Sequence, residues 1–218
     1  VTDKLNFTQA IDLMNAVADA LIAGKDELTA LDAALGDGDL GRTVERGFKA
    51  IKDDLSAHDP HETDLGKLYF KLGKTFSNAA ASSFGALFGT ALMKGGMALK
   101  GKSEMQAADL ADAMQAALDA LMERGKAKVG DKTMLDAIHP AIQAIRALHT
   151  PDAPPPSIAA ALRAAADAAL AGAEQTKTMQ SQIGRASWQG ERSIGQLDGG
   201  ARAIALMLDA AAKKTSEN

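Results

Sequence analysis

The chain has no cysteine in 218 residues, which excludes disulfides and thiolate metal sites. Aromatics make up only 4% of it. Together with the scarcity of β-branched residues, this leaves few of the side chains that favour strands. No apolar run is long enough to span a bilayer, and Val1 to Phe7 lack the charged-then-apolar pattern of a targeting segment. There is no basic face either: 24 Lys and Arg stand against 28 Asp and Glu, a net charge of -4 with both signs interspersed. That balance argues against nucleic-acid and membrane partners, and a cytoplasmic location is the default expectation. What is abundant is alanine and leucine, within a hydrophobic content of 46%. The expected fold is all-α, a single domain over residues 1–218.

Apolar residues recur with helical spacing. Phe7, Ile11, Met14, Val17 and Leu21 define a first helix over residues 7–23, and Leu28, Leu31 and Leu35 a short second one. Further helices are expected near 43–56, 63–80, 84–99, 104–124, 132–148, 157–174 and 200–213. Thr150 to Pro156 holds four prolines in seven residues and reads as a stiff interhelical loop. Short connections favour antiparallel neighbours, so every second loop falls at the same end. Those loops are Gly36–Arg42, Ala80–Gly85, Gly125–Lys132 and Thr176–Gly200, the glycine-rich and polar ones.

Asp32, Asp37 and Asp39 lie within eight residues, around Gly36 and Gly38. Glycines let the chain turn back, and carboxylates held close repel one another unless a cation joins them. Magnesium and calcium both take oxygen ligands, but the loop lacks the oxygen spacing of an EF-hand. Magnesium shared with substrate phosphates is the better match. The same spacing also fits a solvated turn with aspartates as helix caps. Gly41-Arg42-Thr43 then opens the third helix, whose free N–H groups suit an anion, with Thr43 as a plain N-cap the alternative.

The other loops are less specific. Ser82, Ser83 and the Gly85-x-x-x-Gly89 spacing fit a helix cap or a close approach to a phosphate. Gly125-Lys-Ala-Lys-Val-Gly-Asp-Lys-Thr133 nearly spells a P-loop, but Asp131 is inserted before Lys132 and a helix precedes it where a strand belongs. A Walker-type NTPase is therefore rejected, and Asp131 is expected to cap the seventh helix. The stretch Gly184–Gly200 carries the single tryptophan, Trp188, with Arg185 as a planar cation for a phosphate and Asp198 as a cap or ligand contact. Glu191 and Arg192 are expected to pair with other loop charges. The four histidines show neither metal spacing nor a catalytic arrangement.

Four motifs in order resemble the L subunit of bacterial dihydroxyacetone kinases. They are Gly36-Asp-Gly-Asp39, Gly85-Ala-Leu-Phe-Gly-Thr90, Gly125 to Met134, and Gly184-Arg-Ala-Ser with Gly190-Glu-Arg-Ser-Ile-Gly195. The resemblance implies an eight-helix antiparallel barrel with a nucleotide at one end. It implies two magnesium ions on Asp32, Asp37 and Asp39. It implies ADP or ATP contacts at Leu40, Gly41, Arg42, Thr43, Ser83, Phe84, Gly125, Met134, Arg185, Asp198, Gly199 and Gly200. The chain departs from the family pattern at Leu40, usually His, and at Thr43, usually an amide. It departs also at Phe84, usually Ser, and at Gly199, where Pro is usual.

The function so implied is a phosphotransferase subunit without catalytic residues of its own. It would hold the nucleotide while a partner K subunit binds the keto-sugar. One alternative is a phosphoenolpyruvate-dependent version, with bound ADP recharged by a phosphocarrier subunit. Another is a non-catalytic nucleotide sensor.

Overall fold

Asn6 starts the first helix. Its side chain accepts from the Gln9 N–H, and the Gln9 side chain accepts from the Asn6 N–H, both at 2.9 Å. This reciprocal cap satisfies donors that a helix end leaves open. In the computed structural model of the chain, which describes residues 3–151 and 153–217, that helix is α1, Phe7–Ala23. It is followed by α2 (Lys25–Leu35), α3 (Leu40–Ser56), α4 (Leu65–Ala79), α5 (Ser83–Ala98) and α6 (Ala107–Gly125). The last three are α7 (Leu135–Ala147), α8 (Ile158–Gln175) and α9 (Gly199–Ser216). Among the described residues, strand is confined to β1 (Leu5–Asn6) and β2 (Glu104–Met105), an antiparallel pair with Leu5 opposite Met105.

Eight helices close a ring. α1 packs on α3, each helix from α3 to α8 packs on the next, and α9 packs back on α1. The ring is the antiparallel barrel implied by the resemblance. The second helix is not a stave. It lies across the end where α3 and α9 begin, with Lys25 paired to Glu45 at 2.8 Å and Glu27 to Arg202 at 2.6 Å. The expectation that alternate loops share one end holds although it counted α2 as a stave. α2 replaces the connection from α1 to α3 at that end and leaves the alternation unchanged. The opposite end is tied by the β1–β2 pair and by the Ile158 N–H donating to the Asp3 carbonyl at 3.3 Å.

Small residues explain how the staves fit. On α8, Ala161, Ala165, Ala169 and Ala173 repeat every fourth position and are fully buried, so the neighbouring helices can approach its backbone. Between α4 and α5 the approach is closer. A methyl placed on Gly73 would stand 2.6 Å from the Gly89 carbonyl oxygen, and one on Gly96 2.7 Å from the Phe70 nitrogen. Larger side chains fill the adjoining sector: Phe48 and Phe76 are buried edge to face at 5.2 Å, and Phe84 stacks on Phe88 at 5.7 Å. The middle of the barrel keeps an apolar cavity of 180 Å³ bordered by Met14, Phe88, Met114, Leu121 and Met207.

Candidate functional site

The loop between α2 and α3 brings its aspartates together. Asp32, Asp37 and Asp39 each offer a carboxylate oxygen, and these oxygens all lie within 4.8 Å of one another. Gly38 makes the turn at φ 71°, a conformation that side-chain-bearing residues avoid. The first α3 amide, Leu40 N–H, donates to Asp32 at 3.1 Å. Helix geometry leaves the N–H groups of Gly41 and Arg42 without an intrahelical acceptor. Thr43 does not cap α3: the helix starts three residues earlier, and the Thr43 N–H already donates to the Asp39 carbonyl at 2.9 Å. Its side chain is buried, and its hydroxyl has no hydrogen-bond partner among the described residues.

The first turn of α9 borders this loop. A methyl on Gly199 would lie 2.8 Å from Leu40 Cδ2, and one on Gly200 3.5 Å from Met134 Cβ. Glycine at 199 lets the α9 backbone close on Leu40, whereas a methyl at 200 would make ordinary contact with Met134. Asp198 caps α9 by accepting from the Ala201 N–H at 2.7 Å. Burial pushes the Asp198 carboxyl up to about 6, against the pull of the Ala201 amide. Met134, 8% exposed, sits immediately before α7. Gly125 ends α6, where a methyl would meet Leu87 of α5 at 3.5 Å. At the start of α5, Ser82 caps the helix by accepting from the Gly85 N–H at 3.0 Å. Ser83 is exposed, whereas Phe84 turns into the aromatic cluster.

Arg185 comes from the long α8–α9 connection, and its guanidinium meets the Asp37 carboxylate. One of the three carboxylates is thus answered by a guanidinium, and the remaining negative charge matches a divalent cation. Oxygen-only ligands in a tight group suit magnesium. The four loops named from the sequence thus lie at one end, and three of them are linked by direct contact through Asp37–Arg185, Lys132–Ser193 and Gln182–Asp131.

Two expectations are corrected. Asp131 does not cap α7, which starts at Leu135. It is buried and accepts from the Lys128 N–H at 2.9 Å, while Asp136 takes the Gly130 and Thr133 N–H groups. Glu191 and Arg192 form no ion pair among the described residues. One residue passed over in the sequence is prominent: Lys132, 2% exposed, with its ammonium inside the loop end.

A helical barrel whose loop end carries clustered carboxylates beside helix N-termini defines a class of metal-and-anion-binding domains. The chain belongs to the DAK2 domain family, whose profile matches residues 34–213. It is 32% identical over 214 residues to the ADP-binding subunit DhaL of the PEP-dependent dihydroxyacetone kinase of Escherichia coli, covering 98% of this chain and 100% of that one. It is 36% identical to human triokinase/FMN cyclase over 198 residues, 91% of this chain but 33% of that protein. Among solved structures it is similar to the dihydroxyacetone kinase of C. freundii in complex with AMP-PNP and Mg2+. There the TM-score is 0.73 and the identity 28%, over 93% of this chain and 33% of that chain. The chain thus spans about a third of the length of the latter two proteins. No helix among the described residues is long and apolar enough to cross a membrane.

Proposed function

We propose that this chain is the magnesium-nucleotide-binding subunit of a dihydroxyacetone-type kinase, active with a partner K subunit that holds the keto-sugar. The observation that carries the reading is the group of Asp32, Asp37 and Asp39 oxygens within 4.8 Å of one another at a helix N-terminus. Those residues would hold two magnesium ions, whose positive charge would offset the negative charge of the phosphates. Leu40 to Thr43 would supply the start of α3, with its amide dipoles facing the anion. Ser83, Phe84, Gly125, Met134 and Asp198 to Gly200 would line the nucleoside side, and Arg185 would meet a phosphate. Thr43 would act from beneath, since its side chain is buried.

The similar proteins support this reading. One is an ADP-binding subunit, and another was solved with AMP-PNP and Mg2+. They also sustain a second reading, because the first is PEP-dependent. In that version ADP stays bound and a phosphocarrier subunit recharges it. Isothermal titration with ADP tests the common core: heat of binding is expected with magnesium and none after chelation. Equal affinity in both conditions would overturn the metal bridge.

Arg185→Lys is expected to weaken the nucleotide complex about tenfold, because an ammonium cannot reproduce the planar, two-pronged donor set of a guanidinium. The same titration reads it. Unchanged affinity, with unchanged turnover beside the partner, would make Arg185 a surface charge that merely answers Asp37.

A further inference from the structure

Lys132 adopts φ 63°, unusual for a residue with a side chain, and is 2% exposed. Its Nζ donates to the carbonyls of Ser193 at 2.5 Å, Gln196 at 2.6 Å and Met179 at 3.2 Å. An ammonium has three N–H groups and accepts nothing, so three carbonyls satisfy it completely. These carbonyls lie at the two ends of the segment that carries Arg185. Met179 lies on the way in, and Ser193 and Gln196 on the way out. The lysine itself comes from a different loop, the one between α6 and α7.

Other bonds close the same base. The Gln182 N–H donates to the Asp131 carbonyl at 3.1 Å, and the Gly195 N–H to the Lys177 carbonyl at 2.7 Å. The Ser181 N–H donates to the Ser193 hydroxyl at 2.9 Å, which in turn donates to the Gly190 carbonyl at 2.6 Å. Between the pinned ends the chain forms a largely exposed arch that turns at Gly184 and Gly190, with φ of 68° and 54°. Arg185 and the 84%-exposed Trp188 both stand on it. Few side chains of the arch are buried, so its placement depends on how its ends are held. Burying an ammonium is costly unless every donor is matched. Burial accordingly draws the Lys132 pKa down, with nearby Asp198 opposing.

We infer that Lys132 is a positioning residue: it clamps both ends of the arch, keeps Arg185 over the carboxylate loop, and thereby sets how long bound nucleotide stays. The inference rests on the nucleotide-binding reading above and adds a residue to it.

The test compares the full chain with Lys132→Met, Arg185→Ala and the double variant. Three quantities are read: amide hydrogen exchange over residues 181–195, Trp188 anisotropy decay, and release of ADP in the presence of magnesium. Lys132→Met keeps the stem but leaves three carbonyls, the buried one of Ser193 among them, without this donor. It is expected to speed exchange at the Ser181 and Gly195 amides and release of ADP, each by at least about tenfold, and to add fast motion to Trp188. In the Arg185→Ala background it should speed release no further, because the clamp acts through Arg185. A purely structural lysine would instead give additive losses. Should Lys132→Met fail to fold, Ser193→Ala loosens the same base while retaining the lysine, and a smaller change of the same sign is expected. Unchanged exchange and release in a folded variant, or additivity with Arg185→Ala, would overturn the clamp. Failure of the unaltered chain to bind ADP would overturn the nucleotide reading instead, and the exchange measurement would still judge the clamp.

Discussion

Asp37→Ala will abolish magnesium-dependent nucleotide binding while leaving the barrel intact. Asp37 supplies one of three carboxylates within 4.8 Å, and its ion pair is with Arg185. Removing it takes a metal ligand from each geometry the cluster can offer. It also removes the ion-pair partner of the Arg185 guanidinium. Metal affinity depends on ligand number and charge, and losses from neighbouring groups alone reach ten- to a hundredfold. A first-sphere loss is expected to exceed about a hundredfold, which calorimetry with ADP and magnesium reads directly. The fold has no such dependence. Asp37 is exposed, it lies outside any helix, and exposed ion pairs contribute little. Relief of repulsion between the carboxylates offsets the lost pair. The thermal midpoint should therefore move by no more than about 2 °C. Retained affinity would show that the carboxylates form a solvated turn and that the nucleotide, if bound, is held elsewhere.

The barrel was largely legible because its signals are local. α1 follows the expected residues 7–23, because the apolar spacing of Phe7, Ile11, Met14, Val17 and Leu21 repeats from each turn to the next. The carboxylate cluster was legible for the same reason, since its three aspartates fall within eight consecutive residues. Long-range pairing was not legible. Nothing in the spacing of Leu28, Leu31 and Leu35 says that α2 lies over the end of the ring instead of joining it. The start of α7 was misplaced because Asp131 has the right chemistry for a cap, yet Asp136 satisfies the amides of this turn from inside the helix. Lys132 was hidden for a related reason. In Gly-Asp-Lys-Thr it reads as a solvated lysine or a failed P-loop residue. Its carbonyl partners lie 47 to 64 residues further along the chain. The positive φ that turns it inward leaves no mark on a single sequence.

The isolated chain will bind nucleotide yet phosphorylate no keto-sugar at a useful rate until a K-type subunit is added. Phosphoryl transfer requires the acceptor oxygen in line with the terminal phosphate, and positioning supplies most of the acceleration. The loop end holds charge: three carboxylates, the start of α3, and Arg185. It offers an anion and a cation their counterparts. None of the four loops at this end contains a histidine, and the nearest one in sequence to the cluster, His58, lies beyond the far end of α3. The same end presents exposed apolar surface at Trp188, Ile183, Ile194 and Val129, of which Trp188 is 84% exposed. Large apolar side chains left in water around a charged site suit a partner that covers them and excludes solvent from the phosphates. On mixing with a K-type subunit, Trp188 emission should shift to the blue and sugar phosphate should form, in proportion to the complex. Without the partner, turnover should fall by at least about a thousandfold, since the effective concentration of a held acceptor is lost. Vigorous phosphorylation of dihydroxyacetone by the pure chain would show an acceptor pocket within these helices. An unmoved Trp188 signal in an active mixture would place the docking surface elsewhere on the barrel.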